Sequence, residues 1–180
     1  TSLSNADFER MLSLVEEAFY GEHTGEFTVE AGRPDTMTPE KALSMKKHRV
    51  SRVSVNPQTM QQRTLERIGR AHTPEDIVRM FRLLRETGDF SINMDVILGL
   101  PGETRSDVAD TMAKVLALAP DDVTLHSLAL KRGSKLKMHL EEYELPNDAE
   151  VQAMFRTAME QVQNEGFLPY YLYRQGYMSG

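Results

Sequence analysis

The sequence predicts an α/β fold built on a parallel sheet, and three observations predict it. Strand-like and helix-like segments alternate at intervals of roughly 30 residues, the size of a βαβ unit. The run Phe90–Leu98 is almost continuously apolar, as a strand covered on both faces should be. Helix starts repeat one grammar, Thr38-Pro39-Glu40 and Thr73-Pro74-Glu75, in which threonine caps and proline takes the first helical position.

In chain order, Ser4 caps a helix whose apolar residues Phe8, Met11, Leu12, Val15, Ala18 and Phe19 recur at helical spacing, and Gly21 and Gly25 interrupt it. Glu26–Ala31 is a short β-prone run closed by a turn at Gly32–Asp35. A second helix runs from Thr38 to about His48. Val50–Val55 alternates as a strand that Asn56-Pro57 is expected to end. Thr64–Ile68 forms a helical turn, and the helix opened by Thr73 ends near Gly88. After the strand at Phe90–Leu98 comes the loop Gly99–Thr104, with Thr104 or Ser106 as cap of a helix reaching Leu118. Val123–Ala129 reads as a fourth strand. Asn147 or Asp148 starts a further helix, and Phe167–Tyr173 is expected to form a last strand. No low-complexity linker divides the chain, so residues 1–180 read as one domain. Periodicity alone leaves a barrel and an open doubly wound sheet both standing.

Composition bounds the function. Of 180 residues, 40% are hydrophobic and 27% charged, a globular balance with enough apolar side chains for a core. The net charge of -6 repels phosphate backbones and argues against nucleic-acid binding. No apolar run reaches the roughly 18 residues that a membrane span needs. Thr1–Asp7 has neither a basic nor an apolar region of signal-peptide type, so a cytoplasmic location is expected. There is no cysteine, which leaves no thiolate ligand for a metal, and the eleven methionines read as core fillers.

In such folds ligands bind where strands end and loops begin. Unusual polar residues stand there: Glu30 after the first strand, Asn56 and Gln58 after the second, Asn93 and Asp95 within the third, His126 and Ser127 in the fourth, and Arg70 and His72 in a loop. A carboxylate inside a sheet requires a partner, so Asp95 either bonds a neighbouring backbone group or Arg70 as a structural pair, or serves a ligand. Glu30 is a ligand group or a turn cap, His126 alone a core histidine, and Asn56 a residue of a pre-proline turn. Arg33, Arg52 and Lys131-Arg132 read as solvated charge. The Gly99–Thr104 loop is a simple turn, as most Gly-Pro-Gly loops are, or a cradle for an anion on its N–H groups, although it lacks the lysine of a P-loop and the chain has no GxGxxG.

Val53–Thr59, Ile68–Thr73, Ile92–Thr104 and Pro120–His126, in that order, resemble the radical S-adenosylmethionine (SAM) family of oxygen-independent coproporphyrinogen III oxidases. Phe27–Asp35 and Tyr170–Gln175 resemble its coproporphyrinogen dehydrogenase branch. The resemblance spans nearly the whole chain. It implies a partial (β/α)6 radical SAM barrel, of which these residues would hold roughly the last four parallel strands with flanking helices. It also implies roles for side chains. Glu30 corresponds to the carboxylate that meets the methionine moiety of SAM, Gln58 and Asp95 to the pair around its ribose, Arg70 to the guanidinium on its carboxylate, and Ala129 to apolar surface near the adenine. A carboxylate suits an ammonium, an arginine fork suits a carboxylate, and Asp or Gln suits hydroxyls.

The resemblance implies radical oxidative decarboxylation of coproporphyrinogen III to protoporphyrinogen IX in haem biosynthesis. It needs a [4Fe–4S] cluster and an electron donor, and no residue here as a general acid or base. The family's CxxxCxxC and GGGTP loops are absent from this sequence, so it is expected to be a truncated or proteolysed piece, inactive alone, whose exposed sheet edge could drive dimerisation. Two other readings follow: a haem-chaperone relative of the same family, and a non-catalytic partial-barrel interaction domain.

Overall fold

The computed structural model describes residues 3–129 and 143–172. The chain divides into two compact units. One comprises Thr1–Pro57, His72–Met94 and Pro120–Asp122; the other comprises Gln58–Ala71, Asp95–Ala119 and Val123–Gly180. Four parallel strands, β1 (Thr28–Glu30), β2 (Arg52–Gln58), β3 (Ser91–Leu98) and β4 (Asp122–Ser127), are hydrogen-bonded in the order β1-β2-β3-β4. In the first pair Thr28 faces Arg52, Val29 faces Val53 and Glu30 faces Ser54. Sequential order with helical returns is what the alternation of patterns predicts.

In the first unit α1 (Asn5–Phe19) is capped by Ser4, whose Oγ accepts from the Asp7 amide at 3.1 Å. α2 (Pro39–Lys47) and α4 (Pro74–Thr87) start on Thr38 and Thr73, each with proline in the first turn, and Thr73 and Asp76 complete a capping box. α1 packs on α2, and α2 on α4. Phe8, Leu12, Ala42, Met45, Val53, Ile77, Leu84 and Ile92 are almost wholly buried and form this unit's core. Arg52 is not the solvated charge expected: it is largely covered and bridges Asp122 at 3.0 Å and Glu26 at 3.6 Å. Lys131 and Arg132 lie outside the described residues.

In the second unit the short α3 (Gln62–Arg67) precedes Gly69, whose φ of 72° turns the chain out of the helix. Thr104 rather than Ser106 caps α5 (Arg105–Leu116), with Asp107 closing the capping box. Asn147 caps α6 (Asp148–Asn164) in the same way. α5 and α6 pack together, tied by Arg105 Nε donating to the Thr157 hydroxyl at 2.6 Å and Gln161 Nε2 donating to the Ala109 carbonyl at 3.2 Å. Val108, Met112, Val115, Met154 and Ala158 fill the core of this unit.

Two expectations need correction. β2 does not stop at Asn56-Pro57 but runs through Gln58. The proline φ is compatible with an extended strand, and the chain turns only at Gln58, whose φ is 66°. Residues 167–172 form no strand, and Leu168, Tyr170, Tyr171 and Leu172 are exposed; Tyr173 lies outside the described residues. They pair with none of the four strands of the sheet, and propensity without strand partners does not make a strand. No described helix is long and apolar enough to cross a membrane.

The packing makes a direct prediction for chemical denaturation. Leu84→Ala, at a wholly buried site of α4, should cost about 2–5 kcal/mol. Leu43→Ala, on the exposed face of α2, should change stability by no more than about 0.5 kcal/mol.

Candidate functional site

The residues singled out at strand ends fall into both units and are taken unit by unit. In the first, Glu30 closes β1 with an exposed carboxylate. The Asn56 side chain, on neighbouring β2, donates to it at 3.4 Å. Asn56 is therefore a strand residue with its amide turned to Glu30, not a turn residue. Gly32 lies against that amide: a Cβ there would stand 3.6 Å from Asn56 Oδ1. Asn93 is buried and donates to the Ser54 hydroxyl at 3.1 Å. His72 is also buried, its Nε2 3.4 Å from the Pro57 carbonyl oxygen.

The second unit holds Gln58, Arg70, Asp95 and Ala129. Gln58 is buried in left-handed backbone geometry at the end of β2. Asp95 lies in β3, mostly covered, and its Oδ2 is 3.8 Å from Nε2 of His126 on β4. An Asp95–Arg70 ion pair, one of the alternatives for Asp95, does not form. Arg70 is half-buried and has no ion pair among the described residues. Its amide donates to the Leu65 carbonyl at 2.8 Å, which fixes the chain as it leaves α3. Ala129 is half-buried just beyond β4. His126 and Asp95 thus form a carboxylate–imidazole pair.

Of the two readings of the loop Gly99–Thr104, a simple turn and an anion cradle, its hydrogen bonds favour the turn. The Gly102 amide donates to the Glu144 carbonyl at 3.0 Å, the Glu103 amide to the Leu100 carbonyl at 3.1 Å, and the Thr104 amide to Asp107 at 2.8 Å. Those N–H groups are already satisfied inside the protein. Gly99 and Gly102 have φ of 86° and 72°, and a Cβ on Gly102 would overlap the Arg67 guanidinium, which donates to the Pro101 carbonyl at 3.2 Å. The glycines serve the turn and the seating of Arg67.

Sequence reasoning missed Glu103. Its carboxyl is buried and accepts from the Thr59 hydroxyl at 2.6 Å. Burial pushes this carboxyl above the ordinary glutamate value, and the charge of Asp107 adds to the shift; hydrogen bonds from Thr59 and Thr64 and the charge of Arg63 oppose it. The available signal was a carboxylate placed between a strand-end glycine and a cap threonine, but charge at such a position usually reads as solvated. Asp107 behaves oppositely. Although burial works against it, hydrogen bonds from Thr104 and the Arg63 guanidinium, 2.6 Å away, hold it below the usual carboxylate range.

These shifts set the pH dependence. The folded state holds the Glu103 proton more tightly than the unfolded chain does, so the penalty of its ionisation is absent in acid and grows as pH rises past the ordinary glutamate value. Glu103→Gln should raise stability at pH 7 relative to the parent, with the gain fading by about pH 4. Asp107→Asn should have the opposite profile, costing stability at pH 7 and progressively less as acid protonates the parent's aspartate. Urea denaturation across this range checks both signs.

Residues 1–115 match the family described as the Radical SAM superfamily. The chain is 41% identical over 150 residues, 83% of its length, to the oxygen-independent coproporphyrinogen-III oxidase-like protein HemZ of Bacillus subtilis, covering 30% of that protein. It is 28% identical over 173 residues, 94% of its length, to the heme chaperone HemW of the same organism, covering 45% of it. Among solved structures, coproporphyrinogen III oxidase HemN from Escherichia coli superposes with a TM-score of 0.79 at 21% identity, over 92% of this chain and 38% of that one. The chain therefore spans between about a third and a half of the length of these relatives. The fold it shares with HemN is part of the radical SAM barrel. With the family matched across more than half its residues, the chain belongs to the radical SAM superfamily, among its HemN-, HemZ- and HemW-like members.

Proposed function

We propose that this chain is the SAM-holding part of a radical SAM enzyme that oxidatively decarboxylates coproporphyrinogen III. The observation that carries the reading is Arg70, a half-buried residue whose guanidinium has no ion pair among the described residues. It belongs to the same unit as Gln58 and Asp95. A guanidinium without a counter-charge in the protein is open to one from a ligand, and a zwitterionic amino acid carries a carboxylate that suits it. In this reading Arg70 takes the SAM carboxylate. Gln58 and Asp95 take the ribose hydroxyls, with His126 orienting the Asp95 carboxylate, and Ala129 offers apolar surface to the adenine. These side chains bind and orient; none is required to move a proton.

Members of this superfamily use SAM together with a [4Fe–4S] cluster. The residues present do not fit that cluster. It requires thiolates, these 180 residues contain no cysteine, and no group of three or more His, Cys, Asp or Glu among the described residues is arranged to hold a metal. The chemistry open to these residues therefore stops at SAM binding.

The similarity to HemW, which runs along 94% of the chain, favours a second reading in which the whole protein carries haem. Haem titration of the full-length protein, set against its turnover of coproporphyrinogen III, separates the two: turnover without tight haem binding supports the oxidase.

For the 180-residue chain itself, anaerobic incubation with SAM and a strong reductant should yield no 5′-deoxyadenosine, and its appearance would refute the cofactor reading. Binding of SAM should nonetheless be detectable by NMR titration, and Arg70→Met should weaken it by about 10-fold, as expected for the loss of one charge-assisted contact.

A further inference from the structure

Thr59 and Met60, between the end of β2 and the Gln61 cap of α3, belong to neither a strand nor a helix, and they follow the buried, left-handed Gln58 that closes β2. A glutamine gains nothing intrinsic from that conformation, which persists only where the surroundings over-determine it. Here the surroundings are side chains of the second unit. Thr59 is wholly buried, and its hydroxyl donates to Glu103 Oε1 at 2.6 Å. The Thr59 oxygen also accepts from the Gln61 amide at 3.2 Å. It lies 3.2 Å from the Thr111 hydroxyl, which in turn accepts from the Met60 amide at 3.2 Å. The Gln61 side chain donates to the Asp107 carbonyl at 3.2 Å and to Asp110 at 2.7 Å.

A proton inventory gives this network a direction. A hydroxyl has one proton to donate. Thr59 gives its proton to Glu103, whose carboxylate can only accept, so between the two threonines Thr111 donates and Thr59 accepts. Glu103 is thus the acceptor at which the chain of bonds from the Met60 amide through Thr111 and Thr59 ends. Without an acceptor at position 103 the buried Thr59 proton loses its place, and the orientation of both hydroxyls loses its cause.

We propose that Glu103 is a positioning residue: by holding the Thr59 hydroxyl it keeps Gln58 in the backbone conformation from which its side chain meets the ribose of SAM. The positioning role rests on the reading of Gln58 as a SAM contact; the backbone clamp stands on its own hydrogen bonds.

The experiment uses the 180-residue chain labelled for NMR, with SAM as the probe, and compares Glu103→Leu, Thr59→Val and Glu103→Gln. The leucine and valine variants should shift the amide-to-Hα coupling of Gln58. They should speed hydrogen exchange at the Met60 and Gln61 amides by about 10-fold, and weaken SAM binding by about 10-fold. Glu103→Gln, which keeps an acceptor oxygen, should restore all three. Exchange at Ala42, buried in α2 of the other unit, should stay as in the parent. Unchanged Gln58 coupling and exchange in both the leucine and valine variants overturn the clamp, as does equal acceleration at Ala42, which would mark general loosening. If the parent binds SAM and the leucine variant binds it as tightly, the positioning role fails while the SAM reading survives. If the parent does not bind SAM, the reading of Gln58 fails and the positioning role with it, whatever the amides report.

Discussion

Parallel pairing is the constraint on which the rest of this structure depends. Strands that all run one way cannot be joined by hairpins, so each must be followed by a return segment long enough to reach the start of its neighbour. Helices α2, α4 and α5 lie on those returns, between β1 and β2, β2 and β3, and β3 and β4. The buried Val53 and Val55 of β2, and Ile92, Met94, Val96 and Leu98 of β3, stand at alternate positions and so share one face of each strand, the face that carries the apolar core. Polar residues take the intervening positions, Ser54, Asn56 and Gln58 in β2 and Asn93 and Asp95 in β3. Glu30, Gln58 and Asp95 are each matched with a polar neighbour or a special backbone geometry.

The helix starts show the same constraint acting locally. Ser4, Thr38, Thr73, Thr104 and Asn147 each accept a hydrogen bond from an amide of the first turn, and three of these caps are closed by a reciprocal acidic side chain. A cap fixes where a helix begins to within one residue. It therefore fixes the length of the loop before it, and such loops carry Arg70 and Glu103. Fold and site are linked through these short connections.

Acid groups near the helix starts divide into two kinds. Asp76 and Asp107 accept from the N-terminal amides of their own helices and are held in the ionised form. Glu103 sits one residue before a cap, turned away from the helix amides toward the hydroxyls of another segment, and its burial is incompletely offset. A carboxyl kept in so unfavourable a place stabilises the fold little, so its contribution lies in the geometry it imposes on Thr59. The caps anchor helices, whereas Glu103 anchors a loop that has no ladder of its own.

Periodicity and cap chemistry determined most of the architecture without coordinates: α1, α2, α4, β3 and α5 begin and end close to where the residue pattern puts them. Both signals are local, arising within a few residues along the chain. The family was legible for a related reason, since ordered blocks such as Ile92–Thr104 combine a buried strand with the turn that its end requires. Only the tertiary structure decided matters that depend on residues far apart in sequence. Pro57 proved compatible with β2 because the turn comes at Gln58, Arg52 is bound by Asp122 rather than by water, and Asp95 faces His126 rather than Arg70. Glu103 and Thr59 are 44 positions apart, and no pattern in either neighbourhood announces the other. Hydrogen bonds of that kind are specified by packing, which brings side chains together only after the strands and helices have chosen their places.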